Sequence, residues 1–179
     1  MTTQKHSAAA ALWGLAEASV FFIVPDVLLS WVALSSIRRA LTACLYALAG
    51  ALAGGTLIWF WGRHDPEAIR ALFQSLPGID ETMITAVRSQ LESMGLTAMF
   101  LGPLKGTPYK IYALEASILD YPYPLFLLIS IPARLTRFVL VTLLVGGIRA
   151  ALGSRLSLPG ARLTHLVCWT LFYAWYFRL

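Results

Sequence analysis

Charge is scarce in this chain. Asp, Glu, Lys and Arg make up 13% of its 179 residues, while 58% are apolar. A soluble domain carries about 25% charged residues, so ordinary globular composition is excluded and a membrane protein is indicated. Histidine is sparse too: His6, His64 and His165 lie far apart, and no HExxH, CxxC or P-loop spacing occurs. A metal or nucleotide site built on one local motif is thereby excluded. Nor is there a GxSxG nucleophile elbow, so the chain reads as a non-enzyme with no metal and no cofactor. Cys44 and Cys168 sit in separate apolar segments, where cysteine behaves as a small hydrophobe and says nothing of redox compartment. The net charge is +5, but the cations lie at the ends of apolar segments or embedded within them. A nucleic-acid partner needs a basic patch or stripe, so none is expected.

What is present is apolar length, cut at particular places. Residues 41–61 are twenty-one in a row without a charge, flanked by Arg38, Arg39, Arg63 and His64. About twenty residues cross a hydrocarbon core, so this is a transmembrane helix. Its Trp59 and Trp61 suit an interfacial belt, and Gly50, Gly54 and Gly55 offer small surfaces for helix packing. Residues 8–37 precede it and are long enough to cross, yet Glu17, Pro25 and Asp26 interrupt them. A proline and two acids favour a re-entrant helical hairpin over a kinked span that ends at Pro25. A cleaved signal peptide is not expected, because Glu17 breaks the apolar run and no convincing cleavage site follows.

Residues 65–95 differ in character, with five of the nine acids. Asp65-Pro66-Glu67 starts a helix, Pro77-Gly78 stops it, and Asp80 caps another. Ile69, Leu72, Phe73 and Leu76 form one apolar stripe, and Met83, Val87, Leu91 and Met94 a second. The expectation is an amphipathic pair lying along the membrane interface. Residues 96–120 form another interrupted block, broken by Gly102, Pro103, Gly106 and Pro108 and carrying Lys105, Lys110 and Glu115. It reads as a second re-entrant hairpin with Pro25 and Pro108 as corresponding breakers. Residues 123–148 then read as a transmembrane helix, and residues 162–178 as a short C-terminal one that needs local thinning to cross. The tyrosines Tyr109, Tyr112, Tyr121 and Tyr123 read as interfacial anchors.

The fold class is therefore an all-α integral membrane protein in one domain. Two re-entrant hairpins, each followed by a transmembrane helix, form an inverted repeat, joined by the amphipathic pair and closed by the C-terminal helix. Paired interruptions in corresponding positions point to a binding site between the halves. Lys105, Lys110, Arg134 and Arg137 are its candidate cations, since charge inside apolar sequence costs several kcal/mol unless answered. Arg134 and Arg137 are one helical turn apart and share a side. Glu17 and Asp26 are the candidate acids, either balancing those cations or carrying protons.

Three stretches carry a family resemblance. Residues 17–29 resemble the E-S-S-F-F-P-I-P-P-D-V-L-L hairpin motif of the DedA/VTT (SNARE-associated) superfamily, in particular its YqaA-like members. Residues 107–112 are similar to that family's P-I-P-Y-K-V-F stretch, and residues 134–138 to its G-R-G-x-R-F. The matches occur in family order. Phe22 and Val24 replace two prolines of the first motif, and Glu115 and Ser117 stand where the family has a small residue and a glycine. The resemblance implies the inverted repeat, a multi-pass location in the bacterial inner membrane, and lipid handling. Translocation of undecaprenyl phosphate or scrambling of phospholipid, as a flippase or scramblase, is the expected activity. Membrane lipids are then the partners, with assembly of several copies left open. The alternative is a non-transporting membrane assembly or envelope-maintenance factor that acts through protein partners.

Overall fold

The computed structural model describes residues 3–102, 106–153 and 156–178, all of whose regular elements are helical. In chain order they are α1 (Thr3–Glu17), α2 (Asp26–Ala33), α3 (Ile37–His64), α4 (Pro66–Gln74) and α5 (Glu81–Met94), followed by α6 (Tyr109–Ile118), α7 (Tyr123–Leu152) and α8 (Leu158–Tyr176). A 3-10 turn at Gly95–Phe100 leads from α5 towards α6.

The spine is α3, whose 28 residues make a rod of about 42 Å at 1.5 Å per residue. One face is made almost entirely of small residues, among them Ala40, Ala43, Ala47, Gly50, Ala51 and Gly54, all buried. Such a face lets another backbone come close. A methyl group on Gly50 would collide with the carbonyl oxygen of Ala11, and one on Gly14 with that of Ala47. Farther along α3, Gly55 receives the ring of Tyr109, and Gly62 receives Leu114 and Ser117. The same helix therefore seats α1 on its first half and α6 on its second.

These contacts also fix directions. Ala11 meets Gly50 and Leu15 meets Gly54, so α1 and α3 run the same way, and α2 returns between them. Tyr109 against Gly55 and Leu114 against Gly62 set α6 parallel to α3. Cys44 bonds Thr142 and Thr56 bonds Tyr123, so α7 runs opposite to α3. Each half thus holds a short helix antiparallel to the long helix that follows, with α3 and α7 of opposite sense. The breakers stand at equivalent places, since Pro25 is the N-cap of α2 and Pro108 the N-cap of α6. Both prolines fit there because a helix start needs no backbone donor.

Among the described residues two helices, α3 and α7, are long and apolar enough to cross a membrane. The uncharged run 41–61 lies within α3, and the second apolar run within α7. Both carry large apolar side chains on uncovered faces, such as Leu45, Leu57 and Phe60 on one and Leu128, Leu140 and Leu144 on the other. Contiguous exposed apolar surface of this kind marks a contact with lipid or protein. The C-terminal helix is present, four residues longer at its start than the expected 162–178. It begins at Leu158, and Arg162, Thr164 and His165 in its first two turns keep it out of this long, apolar class.

The amphipathic pair forms as two helices, α4 and α5. Asp65 caps Ala68 N at 3.0 Å and Asp80 caps Met83 N at 2.7 Å, so the starts are where the local chemistry puts them. The apolar stripes, however, face protein. Ile69, Phe73, Ile84, Val87 and Leu91 are buried in one core with Ile111, Tyr112 and Leu114 of α6, whereas Met94 is exposed. Glu115, on α6 and wholly buried, holds Arg70 of α4 at 2.6 Å and faces Arg88 of α5 at 3.9 Å. Tyr112 bonds Gln90 and Tyr121 bonds Leu91 O, both at 2.7 Å. The pair is clamped on α6, and no apolar stripe is left over for an interface. Tyr109 and Tyr112, expected as interfacial anchors, are also buried, Tyr112 against α5 and Tyr109 against Gly55 of α3 and Ser130 of α7.

The α1 to α3 crossing can be tested with two alanines. Gly50→Ala forces α1 off α3 and should abolish monodisperse protein on size-exclusion chromatography in detergent. Gly147→Ala meets nothing within 4 Å and should behave as the parent.

Candidate functional site

Both helix breaks leave backbone groups without intrahelical partners, and in apolar surroundings each needs a bond. In the break between α1 and α2, two side chains from distant sequence and one from α1 itself provide them. Lys110 Nζ donates to Phe21 O at 2.7 Å, Tyr173 Oη accepts from Val24 N at 2.9 Å, and Trp13 Nε1 donates to Ile23 O at 2.9 Å. Lys110 therefore joins the start of α6 to the break of the other half.

Around that junction five charged side chains meet. Glu17 is the last residue of α1, Asp26 the first of α2, and Lys110 the second of α6, while Arg134 and Arg137 project from α7. Arg134 Nη2 pairs with Glu17 Oε2, and the two side chains are only 2% and 4% exposed. The guanidinium of Arg134 also lies 4.9 Å from the ring centre of Tyr109 and 4.8 Å from that of Phe138. Aromatic faces on a desolvated cation add to its stabilisation. One turn on, Arg137 grips Asp26 Oδ2 through Nε at 2.8 Å and Nη2 at 2.6 Å. Arg137 is 21% exposed and lines a cavity that Glu17 of the first pair also reaches.

The charges do not cancel. Lys110 enters none of the ion pairs among the described residues, which leaves three cations against two acids. Asp26 Oδ1 and Arg134 Nε are buried and have no hydrogen-bond partner among the described residues. Both atoms have capacity for a further partner, such as a water or an ion. A cavity of about 360 Å³ adjoins the cluster, with Glu17, Lys110 and Arg137 in its wall.

Of the candidate residues, Glu17, Asp26, Lys110, Arg134 and Arg137 come together, and Lys105 lies outside the described residues. Pro25 and Pro108 take no part in the charge cluster but start the helices that carry Asp26 and Lys110. Sequence reasoning missed the aromatic wall. Trp169, Phe172, Tyr173 and Tyr176 line the cavity from α8, and their i, i+3, i+4, i+7 spacing is a helical stripe that was there to be read. Tyr109 as a partner of Arg134 gave no such signal, since adjacency to Lys110 says nothing about which way a ring turns.

Comparison with known proteins adds little beyond these residues. No family model matches the chain, and no solved structure matches it. It is similar to a Haemophilus influenzae protein described as uncharacterized, with 28% identity over 144 residues that cover 79% of this chain and 74% of the relative.

The inner pair makes a stability prediction. Arg134→Gln leaves Glu17 buried without its cation and should destabilise the protein by about 3–5 kcal/mol, read as a fall in thermal midpoint. Replacing both partners by apolar residues, Glu17→Leu with Arg134→Met, should recover most of that loss, because no lone charge remains buried.

Proposed function

We propose that this chain is a DedA/VTT-like protein of the bacterial inner membrane that moves a lipid phosphate, undecaprenyl phosphate or a phospholipid, from one leaflet to the other. In this reading α1–α2 and the segment from the 3-10 turn through α6 are the two re-entrant hairpins, and α3 and α7 are spanning helices. The observation that carries it is the junction of Lys110, Arg137 and their acids at the meeting of both helix breaks. The opposite sense of α3 and α7, each preceded by a short antiparallel helix, supports an inverted repeat, and substrates of such repeats bind where the interruptions meet.

A phosphate crossing a bilayer needs fixed cations while its hydrocarbon stays in lipid. Lys110 offers a charge with only a carbonyl to hold it, and Arg137 offers planar donors at the cavity wall. Arg134 sits behind them, committed to Glu17, and sets the field of the site. When an anion reaches Arg137, its first negative charge answers the excess cation, and a second, as on a phosphate monoester, is answered by a proton on Asp26 or Glu17. Coupling to a proton gradient follows from that exchange.

The pairing of both arginines also favours a second reading. Ion pairs that are complete within the protein hold helices together, and the chain would then be an assembly or envelope-maintenance factor with no cargo.

Reconstitution in liposomes separates the two. Purified protein should translocate undecaprenyl phosphate or phospholipid, and Lys110→Gln with Arg137→Gln should lower the rate by at least about tenfold, equivalent to 1.4 kcal/mol, while the fold is kept. Full transport by that double variant would remove the proposed role of these cations. Folded parent protein inactive toward every lipid, with or without a pH gradient, would favour the assembly role. Gradient-driven activity that survives Glu17→Gln and Asp26→Asn would exclude these acids as proton carriers.

A further inference from the structure

Helix α8 is attached by the tips of its side chains more than by packed apolar surface. Only Ala161 and His165 among its residues are buried. His165 Nε2 lies 2.7 Å from Ser30 Oγ, Tyr173 Oη accepts from Val24 N at 2.9 Å, and Tyr176 Oη donates to Gly78 O at 3.4 Å. These contacts lay α8 antiparallel to α2, across the α1–α2 break, and hold it off the body. The 360 Å³ cavity fills the gap.

The walls of that cavity are of mixed character. Trp169, Phe172 and Tyr176 of α8 face Phe22 and the turn residues Leu76 and Ile79, giving an apolar cleft. Its charged members are Lys110, Arg137 and Glu17. Asp26, which holds Arg137, has its Oδ1 unpartnered behind them. A mainly apolar space with two cations and one acid in its wall fits an amphiphile with an anionic head. Its volume is near the lower end of the roughly 300–1,000 Å³ range of small-molecule sites, which suits one hydrocarbon chain better than two.

We infer that the cavity beneath α8 binds a single hydrocarbon chain that ends in an anionic head, with the head at Lys110 and Arg137 and the chain along the aromatic stripe. The inference deepens the proposed transport role and rests on it for the assignment of the cations to an anion.

Cys168 supplies the test. It lies in the cavity wall and is exposed, whereas Cys44 is buried. The full chain in phosphatidylcholine nanodiscs is treated with a small maleimide, and alkylation of Cys168 is followed by peptide mass. Dodecyl phosphate should slow alkylation by about tenfold at ten times its dissociation constant. Dodecanol and dodecylamine, which partition into the bilayer without an anionic head, should leave the rate unchanged, as should inorganic phosphate. Lys110→Gln should remove the protection, and so should Leu76→Trp, which fills the chain end. Equal protection by dodecanol would make this an unselective apolar groove. Equal protection by inorganic phosphate would reduce it to an anion site. Either result, or no protection by dodecyl phosphate, overturns the inference. The transport role fails separately: protection of Cys168 without translocation of any lipid leaves the binding site standing, and translocation with Cys168 unprotected removes the site alone.

Discussion

The arrangement of this protein turns on a guanidinium in the middle of an apolar helix. Arg134 stands well inside α7, where an uncompensated charge would cost far more than the helix gains from its apolar neighbours. Glu17, from the far end of the chain, answers it, and the rings of Tyr109 and Phe138 flank it. Satisfying that one cation brings α1, α6 and α7 to a common point. The second pair, Arg137 with Asp26, then fixes the start of α2 one turn further along. Once these contacts are made, the α1–α2 break has to lie beside the N-terminus of α6.

That proximity explains how the chain tolerates a break in apolar surroundings. Residues between α1 and α2 have free carbonyl and amide groups, and Lys110, Tyr173 and Trp13 take them up. Lys110 therefore has two roles, as donor to Phe21 O and as the excess positive charge of the cluster. An ammonium shared between a structural bond and a net charge is well placed to respond to an arriving anion, because it gives up a neutral carbonyl and no carboxylate.

The other buried acid has a different task. Glu115 is an acid wholly buried on α6, and its surroundings show why it is tolerated: Arg70 and Arg88 reach it from α4 and α5. It ties the amphipathic pair to α6, beside the turn whose Leu76 and Ile79 form one wall of the cavity. The pair thus shapes the candidate site from outside, as α8 does from the opposite wall.

Sequence alone determined the features set by nearest neighbours. Asp65 and Asp80 cap their helices, Pro25 and Pro108 mark where helices begin, and the uncharged run 41–61 forms part of a long apolar rod. Each depends on chemistry within a few residues, so each is legible in order along the chain. The embedded charges were legible as a group for the same reason, since an ion in apolar sequence demands a partner wherever it is. Tertiary structure decided who that partner is. Glu17 and Arg134 are 117 positions apart, Lys110 and Phe21 are 89, and Tyr173 and Val24 are 149. It also decided what covers the stripes of α4 and α5, which turned to α6. Periodicity records that a helix face is apolar, but not whether lipid or protein lies against it. That choice is made by long-range packing, here by the small-residue face of α3 that seats both α1 and α6.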